Sequence, residues 1–185
     1  MLDFSKIKTI SIKQRKNKVK LNDLIKPQDS EILMNSEDFD ELIEKIINAY
    51  KNKKQIILMM GAHVIKVGMS LLIIDLMKKG IIKHIAMNGA GPIHDFELAL
   101  IGETSEYVEK TIEDGTFGMI EETGKILNEA IKEGAKNNFG MGFAIGKKIN
   151  DLSLPNKEYS ILWNAYKLNM PATVHVAIGT DITHQ

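Results

Sequence analysis

The sequence predicts an α/β protein built on a doubly wound parallel sheet with flanking helices. Three observations carry that prediction. Residues 55–60 (QIILMM) form a continuous apolar run that ends at Gly61, the pattern of a strand buried on both faces. Two more short runs, residues 83–87 and 173–178, also lead into glycine-containing turns, Asn88-Gly89 and Gly179-Thr180-Asp181. Helical periods separate the three runs, which is the order of parallel strands joined by crossovers.

Residues 1–27 are polar and basic, with a short strand expected at 7–12 and a stop at Pro27. The cations Lys13, Arg15, Lys16, Lys18 and Lys20 read as a solvated face or an arm. This gives two parts: residues 1–35 as a basic N-terminal arm and residues 36–185 as the α/β domain. Ser36 has the chemistry of a helix N-cap, and Phe39, Leu42, Ile43, Ile46 and Ile47 share one helical face behind it. A helix is expected over 70–79, stopped by Gly80. Shorter helical patterns follow at 94–100, 106–113 and 120–136, interrupted by Gly102, Gly115 and Gly118. The pattern at 159–169 ends before Pro171. The chain stops four residues after Asp181, so a truncated or half unit is expected. Its uncovered apolar surface, with Trp163, calls for a partner copy and a homo-oligomer.

Composition narrows the function. With 185 residues, 44 % apolar and 26 % charged, the chain has material for one well-packed core. Twenty-four basic residues balance 24 acidic ones, so no global field draws in nucleic acid or an anionic membrane. The absence of cysteine excludes disulfides, thiolate metal sites and cysteine nucleophiles. No run approaches the roughly 20 apolar residues of a membrane span, and no signal-peptide pattern opens the chain. A cytoplasmic protein is expected.

Ligands of open α/β sheets bind beyond the carboxyl ends of the strands. Here those ends carry residues 61–68, 88–95 and 179–184. Glycines admit close backbone approach, and a following helix offers free N–H groups to an anion. Asp181 suits a ribose hydroxyl or a helix N-cap. His63, His94 and His184 fall at the strand ends beside Asp95 and Asp181. His94 and Asp95 are the general acid/base candidates. A divalent metal held by His63, His94, Asp95 and Asp181 is a second chemistry, although no HExxH spacing supports it. His175 reads as a packed core residue. No phosphate-binding GxxxxGK[ST] loop or GxSxG elbow is present.

Residues 55–102 and 159–181, the latter ending in the stretch NMPATVHVAIGTD, resemble the deoxyhypusine synthase family. The resemblance lies in the strand–glycine loop–helix–strand order, the second glycine turn and a threonine-aspartate at the last strand end. It implies a Rossmann-like fold that binds NAD near subunit interfaces. On that basis the first NAD-contacting loop falls on Gly61, Ala62, His63, Val64, Ile65 and Lys66. The second turn falls on Asn88, Gly89 and Ala90, and the third motif on Asp181. The implied activity is NAD-dependent amine oxidation with alkylamine transfer, on a small molecule or a protein lysine. Two departures stand out. Ile93 and His94 occupy the places of the family's two glutamates, and the segment bearing the family's catalytic lysine is not in this chain. A metal-assisted hydrolase and a non-catalytic binding or assembly module are the alternative readings.

Overall fold

The computed structural model describes residues 8–29, 36–177 and 179–183. Its centre is a parallel sheet of three strands: β2 (Ile57–Met60), β3 (His84–Asn88) and β5 (Ala172–His175), in the order β2-β3-β5. All three runs read from the sequence are therefore neighbours in one parallel sheet, with their carboxyl ends at one edge. Register pairs Leu58 with Ile85 and Ile85 with Ala172, and Met60 with Met87 and Met87 with Val174. Side chains alternate across a strand, so these two rows point to the same face. That face is the core side.

A second sheet was not legible in the sequence. β1 (Asn17–Lys20) pairs antiparallel with β4 (Glu103–Glu106), Val19 opposite Thr104 and Asn17 opposite Glu106. The strand expected at 7–12 is replaced, in its described part, by an isolated bridge at Ile10 and a 3₁₀ turn Ile12–Gln14. Four of the five N-terminal cations are exposed, as a solvated face requires, but the Arg15 side chain is buried.

Helix α1 (Glu37–Lys51) is capped by Ser36, whose Oγ accepts from the Phe39 N–H. α2 (His63–Lys66) is a single turn and α3 (Ser70–Lys78) crosses from β2 to β3. α4 (Ala90–Ile101) starts inside the expected glycine turn and absorbs the short helix read at 94–100. Pro92 is tolerated there because the first helical turn has no N–H to lose. The helix expected at 106–113 is present as the shorter α5 (Val108–Thr111), and only its first residue, Glu106, belongs instead to strand β4. α6 (Glu121–Lys136), α7 (Met141–Asp151) and α8 (Ile161–Lys167) complete the layer. Ile65, Ile85, Phe96, Leu98, Ile145, Ile149, Ile161 and Leu162 form the centre of the core against the sheet.

The architecture is mixed α/β, and it corrects the doubly wound expectation. The helices cover one face of the sheet. On the other, Met59 is 77 % and Ile57 54 % exposed, and Thr173 and His175 face solvent beside them. His175 is thus not the core histidine its alternation suggested. Its Nε2 shares Thr173 Oγ1 with His84 Nε2, at 3.0 and 3.2 Å. The helix that could cover this face, α1, buries none of its side chains. Among the described residues no helix is long and apolar enough to cross a membrane.

Candidate functional site

A cavity of about 260 Å³ lies at the carboxyl edge of the sheet, between α4, β4, the start of α6 and the segment 180–183. Its walls mix apolar side chains such as Ile93, Phe117 and Ile120 with a small set of polar groups. That mixture is typical of sites for small molecules.

The polar groups form one connected chain. Glu97 stands in the apolar run Phe96-Glu97-Leu98-Ala99, on the face of α4 turned to the cavity, and is 1 % exposed. Its Oε2 accepts from Arg15 Nη2 at 2.6 Å and from Thr104 Oγ1 at 2.6 Å, and its Oε1 accepts from Thr123 Oγ1 at 3.0 Å. Arg15 also donates through Nε to Asn17 Oδ1 at 2.7 Å. A buried carboxylate with a guanidinium and two hydroxyl donors is satisfied as an anion. Thr104 has a single hydroxyl proton, and Glu97 takes it. His94 Nδ1, 2.8 Å from Thr104 Oγ1, must then be the donor in that contact. The proton of neutral His94 therefore sits on Nδ1. Its Nε2 is left with a lone pair, and no partner for that atom is seen among the described residues.

Burial, opposed by Glu97 and helped by Lys66 and Arg15, lowers the pKa of His94 from 6.5 to about 4. The imidazole is neutral at pH 7, so Nε2 can accept a proton or a hydrogen bond.

Asp95 has a different task. It is fully buried, and its carboxylate accepts from Ser160 Oγ at 2.5 Å, Ile161 N at 2.7 Å and Leu162 N at 3.1 Å. It closes the N-terminus of α8 from another helix. Burial, opposed by these three hydrogen bonds, raises its pKa from 3.8 to about 6. Neighbours in sequence, His94 and Asp95 face different partners, and Asp95 is not among the residues lining the cavity.

Of the residues expected to meet a cofactor, Lys66, Ala90 and Asp181 line the cavity together with His94. Gly61, Ala62, His63, Val64 and Ile65 do not. Ala62, the N-cap of α2, and Ile65 within it are buried, and His63 is exposed. Asn88 turns its Oδ1 to the Gly91 N–H at 3.2 Å, which starts α4. Asp181 accepts from Ala177 N at 2.6 Å, and its carboxylate packs on Gly89 so closely that a Cβ there would collide with it. The rim approach between the second and third loops is thus filled from within. Among the described residues no group of three or more His, Asp or Glu side chains could hold a metal, so the set His63, His94, Asp95 and Asp181 is not a ligand cluster. His184 lies outside the described residues.

The fold and cavity define an α/β domain with a small-molecule-sized pocket at the sheet's carboxyl edge. No protein-family model matches the chain, and no curated protein is similar to it at a significant level. Among solved structures it is similar to the apo form of ArgZ, an arginine dihydrolase from the ornithine–ammonia cycle in cyanobacteria, with 16 % identity and a TM-score of 0.51. The match covers 77 % of this chain and 18 % of the longer one. At that identity the likeness concerns the fold alone.

This finding corrects the deoxyhypusine synthase resemblance. The neighbour belongs to a different family and is named as a hydrolase, not as an NAD-dependent transferase. Amine oxidation with alkylamine transfer is accordingly withdrawn.

The sequence reading missed Arg15, Glu97, Thr104, Glu106, Thr123 and Thr183. One signal was available: a glutamate inside an apolar helical run must be buried with a partner. The partner itself lies 82 residues away and has no local signature.

Proposed function

We propose that this chain binds a small polar molecule in the cavity at the carboxyl edge of its parallel sheet, with neutral His94 as the proton acceptor. One observation carries the reading: the chain His94–Thr104–Glu97–Arg15 fixes the imidazole tautomer and leaves Nε2 unpartnered beside the cavity. A buried ion pair is a costly way to stabilise a core, and replacing it with apolar side chains is often neutral or better. Here it orients a ring at a pocket, the arrangement that general-base chemistry needs. In that role Nε2 would take a proton from a ligand O–H or N–H while Nδ1–H stays bonded to Thr104.

The finer reading of the fold, a Rossmann-like NAD site, rests on the glycines at the rim. The cavity lies just below the usual size range of ligand pockets. A dinucleotide would have to extend from it over the loop at 61–68. NAD is one ligand to test. Arginine, named in the neighbour's activity and of the small polar class proposed, is another.

Binding can be followed by calorimetry and by the melting temperature with each compound at millimolar concentration. Ala90→Phe, which fills the cavity, should remove the response. His94→Gln, which offers no comparable base, should leave binding within a few fold and remove any turnover found. A ligand whose binding ignores Ala90→Phe would place the site elsewhere.

A further inference from the structure

Among the described residues three buried side-chain polar atoms have no partner: Ser70 Oγ, at the start of α3, and Glu106 Oε2 and Thr183 Oγ1, whose residues both line the cavity. Glu106, 8 % exposed, uses Oε1 to accept from the Gly118 N–H at 3.0 Å, while its Oε2 is buried and unbonded. Thr183, 6 % exposed, has its Oγ1 buried and unbonded; only its carbonyl is engaged, by Asn128 Nδ2 at 2.6 Å. Buried polar atoms are paired in the great majority of cases, and each exception calls for an explanation. A carboxylate oxygen has only lone pairs to offer, so its missing partner is a donor. The Thr183 hydroxyl, which lines the same cavity, can also accept from a donor.

The strand that delivers Glu106 is itself strained. Ser105, between Thr104 and Glu106, has φ +66°, in the left-handed region that non-glycine residues rarely enter. Such strain persists where surrounding structure enforces it, commonly at ligand sites.

The rest of the charge around the cavity is settled. Arg15 and Glu97 neutralise each other, His94 is uncharged, and Asp181 is turned to the Ala177 N–H. Lys66 remains: it lines the cavity and forms no ion pair among the described residues. The groups left to meet a ligand are thus Glu106 Oε2, Thr183 Oγ1, His94 Nε2 and the Lys66 ammonium, in a cavity whose lining also includes the apolar Ile93, Phe117 and Ile120.

Resting on the site proposed above, we infer that its ligand is a zwitterion of the amino-acid class. Its protonated amine is held by Glu106 Oε2 and Thr183 Oγ1, its anionic group pairs with Lys66, and a short aliphatic stem lies between them.

The test uses matched probes on the intact chain: 5-aminopentanoate and 4-aminobutanoate as zwitterions, pentylamine as the amine alone, pentanoate as the acid alone, and NAD. At least one zwitterion should bind about tenfold or more tighter than the amine or the acid. Glu106→Gln keeps an acceptor for the Gly118 N–H but turns an amide toward the ligand. It should abolish zwitterion binding. In the ligand-free protein it should raise the melting temperature by about 2–4 °C, because an unpaired buried charge is gone. A purely structural glutamate would lower it. Thr183→Val should weaken the zwitterion and leave pentanoate unchanged, and Lys66→Met should reduce the zwitterion to the level of pentylamine. Failure of both zwitterions to bind, or binding indifferent to Glu106→Gln and Thr183→Val, overturns the inference. If NAD still binds and Ala90→Phe removes it, the site stands and only the ligand class falls. If nothing responds to Ala90→Phe, both fall.

Discussion

His94 and Asp95 are adjacent, and their environments push their proton equilibria in opposite directions. The unfolded chain protonates His94 near pH 6.5 and the folded protein only near 4, so stability falls as the pH drops through that window. Asp95 takes its proton near 6 when folded and near 3.8 when unfolded, so its contribution to stability rises as the pH drops between those values. Each amounts to about 3 kcal/mol. In the wild type they nearly cancel, and urea midpoints should change little between pH 6 and 4 on their account. His94→Gln should gain about 3 kcal/mol of stability over that range relative to wild type, and Asp95→Asn should lose about as much. The buried pair below them gives a second prediction. Arg15→Met leaves the buried Glu97 charged without its cation, which should cost about 3–5 kcal/mol in urea unfolding. Adding Glu97→Gln to Arg15→Met should recover much of that loss, since the amide oxygen still serves Thr104 or Thr123. Only fragments of this could be read beforehand. His94 stood out as a polar residue at a strand end, but the Thr104 that fixes its tautomer is legible only once β4 is folded back.

At the scale of elements, the legible parts were those with strong periodicity. The three parallel strands, α3, α6 and α8 follow directly from apolar runs and caps. α7 escaped because Gly142 and Gly146 depress helix propensity within it and Gly140 stands just before it, at the N-cap. The structure shows why two of them are there. A Cβ on Gly142 would collide with the carbonyl of Ala172, and one on Gly146 with the carbonyl of Leu162. α7 lies against α8 and β5 at a separation that only glycine permits. Gly146→Ala should therefore destabilise the protein despite the better propensity of alanine. Gly124→Ala, on α6 where a Cβ meets nothing, should stabilise it by about 0.5–1 kcal/mol. Paired urea curves check both signs. β1 and β4 were missed for another reason: NKVK and ETSE are short and polar, and they are held as strands by each other, with Thr104 of β4 also bonded to Glu97 of α4. Such pairing is tertiary, and no local pattern announces it.

For the whole molecule, two uncovered apolar surfaces remain: the outer face of the sheet at Ile57 and Met59, and the stripe Leu42, Ile43, Ile46, Ile47 of α1. Charge along α1 runs from Glu37, Asp38, Asp40, Glu41 and Glu44 in its first half, with Lys45 paired to Glu41, to Lys51 at its end and Lys53 and Lys54 just beyond. Two copies related by a twofold axis would set these helices antiparallel, acid against base, with the stripes facing. Light scattering is expected to show a dimer that Ile43→Lys/Ile47→Lys dissociates; a monomer at high concentration would contradict this. The dimer concerns the outer surface, whereas the central claim concerns the cavity: a neutral His94, protonated on Nδ1 by its bond to Thr104, presents Nε2 to a ligand. Nitrogen-15 NMR of the histidine rings, with His94→Gln to assign the signal, tests this most directly. The account predicts an Nδ1-protonated neutral ring at pH 7 that does not titrate above about pH 5. A ring protonated on Nε2, or one that titrates near 6.5, would contradict it.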